Sequence, residues 1–144
     1  KFYPMHRIIY LSSAIELFTD EEINLLLQKS RFNNMQKNIT GLLLYSEGNF
    51  IQILEGNKDE IQNTFEKIKL DNRHKNIITV INEPIKNRTF SDWKMGYSVL
   101  EPSFLNNHPE INPFSFKNTP SIDLIVKTFI ETFLNSFRNR VLYT

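Results

Sequence analysis

At 144 residues the chain is long enough for one domain with a substantial hydrophobic core. Its 17 basic and 16 acidic residues nearly cancel, to a net charge of +1, and are mixed along the sequence, which argues against nucleic acid as a partner. No cysteine is present and the three histidines share no metal-ligand spacing, which argues against disulfides, thiolate chemistry and a metal site, while no apolar run approaches the roughly 20 residues that span a bilayer. The expectation is a cytoplasmic protein with no membrane partner and with Met5 as a candidate natural start.

The first strand is expected over residues 6–12, His-Arg-Ile-Ile-Tyr-Leu-Ser, which are β-prone and apolar in the middle. Thr19 then reads as a helix N-cap, with Glu22 closing a capping box and Phe18 placed to staple to Ile23. The apolar stripe Ile23, Leu26, Leu27, Ser30 predicts a first helix that ends near Asn33-Asn34. Residues 40–56 read as a hairpin of a second and a third strand turning at Glu47-Gly48-Asn49. Asn57 caps a second helix carrying Ile61, Phe65 and Ile68 on one face, which runs out around Leu70 to His74. A fourth strand is expected over 76–82 and a fifth over 89–99, around Trp93-Lys94-Met95. From 101 to 120 the chain is rich in Pro and Asn, and a final helix from about Thr119-Pro120 to Arg138 carries a broad Phe-rich stripe. This order predicts an α+β, ferredoxin-like β-α-β-β-α-β(β) sheet, with two helices on one face and the C-terminal helical extension on the other.

Within the third strand, alternation puts Phe50, Gln52 and Leu54 on one face, and Ile51 and Ile53 on the other. Both faces are apolar, so Gln52 brings two donors and an acceptor into a dry strand, where leaving them unpaired costs about 1–3 kcal/mol. In a ferredoxin-like sheet the first strand is central and pairs with the third, which sets Tyr10 beside Gln52. Asn34, at the expected helix end, points the same way. Each has an ordinary reading: a core tyrosine, a helix cap, a glutamine with a local partner. Trp93 and Met95 read as core filler, and Asp71, Arg73 and His74 as a solvated helix end. Together they suggest a polar ligand groove between the two helices.

The stretches Arg7-Ile-Ile-Tyr-Leu-Ser12, Ser30-Arg-Phe-Asn-Asn34, Asn38 to Tyr45, Gly48 to Gly56, Asp71-Asn-Arg-His74 and Phe90 to Met95 resemble the BLUF family of flavin-using blue-light sensors, over about residues 6–99. The resemblance implies a photoreceptor without enzymatic turnover, with residues 5–100 as the flavin-binding domain and 101–144 as connector and output or oligomer helix. It implies FAD as the cofactor, with FMN as the other candidate. Tyr10 would be the electron and proton donor to the excited flavin, Gln52 would bridge Tyr10 and the flavin N5/O4 edge, and Asn34 would hold the C4 carbonyl and N3 side. Leu26 and Ile68 would sandwich the ring, with Arg73 and His74 near its pyrimidine edge. Arg31, Lys67 and Asp71 are weaker candidates for the ribityl or phosphate side. Ser12, Trp93 and Met95 would carry the signal. No cyclase or phosphodiesterase sequence fits in residues 101–144, so the expected partners are a downstream protein and further copies of the chain, as a dimer or larger ring. The alternative is an enzyme on the same frame, a flavin oxidoreductase or an acylphosphatase-like hydrolase. The glycine-rich anion loop with its arginine that such a hydrolase needs after the first strand is missing from Ser12-Ser-Ala-Ile-Glu16.

Overall fold

The computed structural model describes residues 4–46, 48–91 and 94–99, together with Asn107, Leu124 and Thr128. Their elements are β1 (Met5–Ala14), α1 (Asp20–Lys37), β2 (Thr40–Ser46), β3 (Asn49–Asn57), α2 (Lys58–Leu70), β4 (His74–Ile85) and β5 (Gly96–Val99). The five strands form one sheet in the order β4-β1-β3-β2-β5, antiparallel throughout except for the parallel β2–β5 pair. This is the ferredoxin-like α+β arrangement with a fifth strand appended beside β2. Of the expected C-terminal helix only Leu124 and Thr128 are among the described residues, both helical, and no helix among those described is long and apolar enough to cross a membrane.

Local chemistry sets the helix boundaries. Thr19 Oγ1 accepts from Glu22 N at 3.1 Å while Glu22 Oε1 accepts from Thr19 N at 3.0 Å, closing the capping box. Asn57 Oδ1 caps α2 by accepting from Asp59 N at 3.0 Å and Glu60 N at 3.4 Å. α1 runs one turn past the expected end: Asn38, with φ 54° and ψ 43°, is its left-handed C-cap, and Asn34 lies inside the helix. Asparagine tolerates that conformation better than most residues with a side chain. Three strands also differ from expectation. β1 and β4 are longer, pairing from Met5 with Ile85 to Ala14 with His74, and β5 begins only at Gly96, opposite Leu42 of β2.

The sheet's two faces are both dry. Toward the helices, Ile8, Tyr10, Leu43, Phe50 and Leu54 pack with Ile23 and Leu27 of α1, and with Ile61 and Phe65 of α2. On the opposite face Ile9, Leu42, Leu44, Ile51 and Ile53 are equally buried, and so is an ion pair. Glu55, at 0% exposure, accepts at Oε2 from Arg7 Nε at 2.8 Å, and at Oε1 from the main-chain amides of Thr89 and Phe90 at 2.9 and 2.8 Å. Arg7 also bonds Glu83 at 3.1 Å and Thr89 Oγ1 at 2.7 Å, while Arg88 reaches Thr40, Asn38 and the Glu55 carbonyl. The segment leading toward β5 is thereby fastened to β1, β2 and β3.

Gly41 lets β2 close on β3. A Cβ there would sit 1.8 Å from Ile53 O and 2.8 Å from Ile53 C, both backbone atoms that cannot move aside. Gly41→Ala should therefore cost about 3 kcal/mol or more, or prevent folding. Urea denaturation measures it, and a midpoint matching the unsubstituted chain would contradict the close approach.

Candidate functional site

The antiparallel register of β1 and β3 sets Tyr10 directly opposite Gln52. The Tyr10 hydroxyl donates to Gln52 Oε1, and Gln52 Nε2 donates to Met95 Sδ at 3.5 Å. This amide orientation suits both neighbours, since a phenol can donate and a thioether can only accept. All three side chains are buried, and the Tyr10 ring packs on Phe65 with centroids 5.2 Å apart. Burial pushes the Tyr10 phenol well above its ordinary value, and the negative charge of Asp71 pushes it in the same direction. The group is held neutral, with its proton on the bond to Gln52.

Tyr10 and Gln52 form part of the wall of an open groove between the helices. Leu26 and Ser30 line it from α1, Ile68 from α2, and Leu43, Phe50 and Phe18 complete its apolar surface. Leu26, Ser30 and Asn34 stand four residues apart on one row of α1. That row carries the wall on toward Asn34, which is 4% exposed and donates from Nδ2 to Lys94 O at 3.1 Å.

The mouth is polar. Asp71 Oδ1 accepts from Arg73 N at 2.9 Å and from Arg73 Nε at 3.0 Å, and Oδ2 accepts from Arg73 Nη2 at 2.5 Å. These bonds hold the Asp71 carboxyl at about 2, below the usual carboxylate range, and Asp71 raises the Arg73 guanidinium in turn. The Arg73 guanidinium carbon lies 5.8 Å from the Phe18 ring centroid. His74 ties α2 to β1: Nε2 lies 2.6 Å from Ile68 O, which can only accept, so Nε2 carries hydrogen. In the neutral ring Nδ1 then accepts from Ser12 Oγ, 2.8 Å away.

Of the residues singled out from the sequence, Tyr10, Leu26, Gln52, Ile68, Asp71, Arg73 and His74 meet on the groove. Ser12 and Met95 are one contact behind it, through His74 and Gln52, and the Asn34 amide is bonded to Lys94 O. The Arg31 guanidinium donates to Met95 O from Nε at 3.1 Å and Nη2 at 2.9 Å, away from the groove surface, and Lys67 is exposed on α2. Trp93 lies outside the described residues. Phe18, Ser30, Leu43 and Phe50 line the groove without having been assigned a site role. Phe50 shares the Gln52 face by strand alternation and Leu43 is the β2 partner of Gln52, so strand pairing was the signal for both.

The family model for BLUF, described as sensors of blue-light using FAD, matches residues 5–96. Photoactivated adenylate cyclase subunit beta of Euglena longa is 35% identical over 89 residues, which are 61% of this chain and 10% of that protein. The chain spans about a tenth of the length of the first such curated relatives. Among solved structures, the dark-state structure of BlrB, a BLUF protein, has a TM-score of 0.71 at 27% identity, covering 93% of this chain and 98% of that one. The photo-activated state of BlsA has a TM-score of 0.72 at 25% identity, covering 97% and 99%.

The raised phenol has a consequence at high pH. An unfolded chain releases the Tyr10 proton near its ordinary value of 10.0, whereas the folded chain keeps it. The stability contributed by this group is therefore complete below about pH 10 and lost as pH rises beyond it. Denaturation midpoints should fall more steeply above pH 10 in the unsubstituted protein than in Tyr10→Phe, and parallel curves would refute the burial of the phenol.

Proposed function

This chain belongs to the BLUF family, the sensors of blue light using FAD, and from that premise we propose that it is a blue-light photoreceptor holding FAD non-covalently in the groove over Tyr10 and Gln52. The observation that carries the reading is the chain of bonds from the Tyr10 hydroxyl through the Gln52 amide to Met95 Sδ, buried along one wall of an otherwise apolar groove. The donor set fits a flavin: apolar walls for a flat ring, a reversible amide for its polar edge, and an arginine and a histidine at the mouth. Tyr10, Gln52 and Asn34 would hold the polar edge, Leu26 and Ile68 would sandwich the ring, and Arg73 and His74 would lie on the pyrimidine side, with Asp71 fixing Arg73.

When bound, the flavin supplies blue-light absorption and the transient uptake and return of one electron. Tyr10 suits the donor role because its phenol can release an electron while its proton passes along the existing bond onto Gln52 Oε1. Return of the proton to Tyr10 then allows the amide to settle with its donor and acceptor ends exchanged. The Tyr10 oxygen can donate to one end of the amide and accept from the other, so it stays a partner in either arrangement and the exchange is a two-state rearrangement of small net energy. Nothing is turned over in this cycle.

Residues 5–100 constitute the sensing unit on this reading, and residues 101–144 carry the output through Met95 and the fifth strand to a protein partner or to further copies of the chain. The purified protein should be yellow, shift its absorption to the red under blue light and recover in darkness, and the flavin released on denaturation should chromatograph as FAD. Tyr10→Phe and Gln52→Leu should each abolish the red shift while flavin stays bound. A colourless protein that takes up no added flavin would sink the proposal, and intact photocycles in both variants would remove the roles given to these two residues.

A further inference from the structure

Arg31 and Asn34 stand one turn apart on α1, and both reach main-chain carbonyls just ahead of β5. Arg31 donates twice to a single atom, Met95 O, and Asn34 Nδ2 donates to Lys94 O. Met95 immediately precedes the first β5 pair, Gly96 with Leu42, and its side chain is fully buried with Sδ 3.5 Å from Gln52 Nε2. One helix thus fixes the backbone from which the sulfur reaches the amide.

We propose that Arg31 is a positioning residue for the light switch, acting through Met95: its grip on Met95 O keeps the sulfur at the Gln52 amide and favours the orientation with Nε2 toward sulfur. The inference rests on the photoreceptor reading above. A thioether accepts a hydrogen bond and cannot donate one, so the orientation with Nε2 toward Sδ gains a bond that the reversed orientation, with Oε1 toward Sδ, does not. That bias exists only while the sulfur stays within reach. Methionine has three rotatable side-chain bonds and adapts readily to other positions, so locating its backbone is what keeps the sulfur in place. A guanidinium suits this task, because its planar fork directs two N–H groups at one carbonyl where an ammonium offers a single mobile charge. The resemblance alone directed Arg31 toward the ribityl or phosphate side, whereas the structure turns two of its N–H groups onto protein.

Removing the grip lessens the preference for the dark arrangement and prolongs the red-shifted one. In the full-length, flavin-loaded protein, absorption recovery in darkness after a blue pulse should be roughly three- to tenfold slower in Arg31→Ala, the kinetic equivalent of losing one net hydrogen bond. Arg31→Lys, whose ammonium lacks the planar fork, should fall between. In a Met95→Leu background, which lacks the acceptor sulfur, neither Arg31 substitution should slow recovery further. Should Arg31→Ala fail to fold, Arg31→Lys measured in the two backgrounds provides the same cycle. Unchanged recovery, equal slowing in both backgrounds, or weakened flavin affinity as the sole effect would overturn the proposal, the last returning Arg31 to the ribityl or phosphate side. If the unsubstituted protein shows no red shift at all, the photoreceptor reading itself fails and this inference with it. A normal red shift without coupling between Arg31 and Met95 removes only the inference.

Discussion

A phenol and a primary amide meet across two adjacent interior strands of the sheet, both almost wholly buried. β1 and β3 are interior strands, so Tyr10 and Gln52 are confined by neighbouring strands as well as by the helices above. A net hydrogen bond in such a place contributes about 0.5–1.5 kcal/mol, while an orphaned polar group costs about 1–3 kcal/mol. The larger number governs. The pair is held less by what its bond gains than by what its loss would cost, so any rearrangement has to exchange partners and cannot simply break them apart. A glutamine beside a phenol can do this, because the phenol oxygen can donate to one end of the amide and accept from the other, and those ends scarcely differ in shape.

The same rule explains the charged cluster on the other face. Removing Arg7 and Glu55 from water is expensive, and their attraction offsets the expense only because further donors complete the carboxylate. Glu55 receives Arg7 on one oxygen and two main-chain amides on the other. Those amides belong to Thr89 and Phe90, so a buried charge on β3 also determines where the chain leaves β4. From there it crosses to the helix side and supplies Met95 to Gln52. The two faces of the sheet are therefore joined through one segment, fastened at one end by Glu55 and at the other by α1.

Local signals carried much of this into the sequence. The capping box at Thr19, the Asn57 cap and the alternation through Gln52 each depend on residues within a few positions of one another, and each is present in the structure. The groove residues followed wherever a periodic element carried them. The errors arose where distant contacts outweighed local preference. Asn33-Asn34 looks like a helix end because asparagine competes for backbone hydrogen bonds, yet Met35, Gln36 and Lys37 are adequate helix formers, and the helix stops at Asn38. The fourth strand runs past its expected end at 82 and through Pro84, because β4 is an edge of the sheet, where a missing donor is tolerated. Arg7 with Glu55, and Arg31 with Met95, are 48 and 64 positions apart, and no periodicity links them. Opposite charges on otherwise apolar faces of neighbouring central strands were the one legible hint of the first pair.

The choice of neighbour for the amide matters as much as the amide itself. A serine or asparagine in place of Met95 could pair with either end of Gln52 and would leave its two orientations nearly equivalent. A leucine would pair with neither and would strand whichever end faced it. The thioether lies between these cases: it accepts weakly, so it sets a preference without imposing a large barrier to reversal. Sulfur can exercise that preference only at close range, and the Nε2–Sδ separation of 3.5 Å is a direct contact. A displacement of the Lys94–Met95 backbone by a fraction of an ångström would therefore alter the balance more than the same displacement among the packed aliphatic side chains of the sheet. The Arg31 and Asn34 bonds to these two carbonyls act at the point where the site is most sensitive to position.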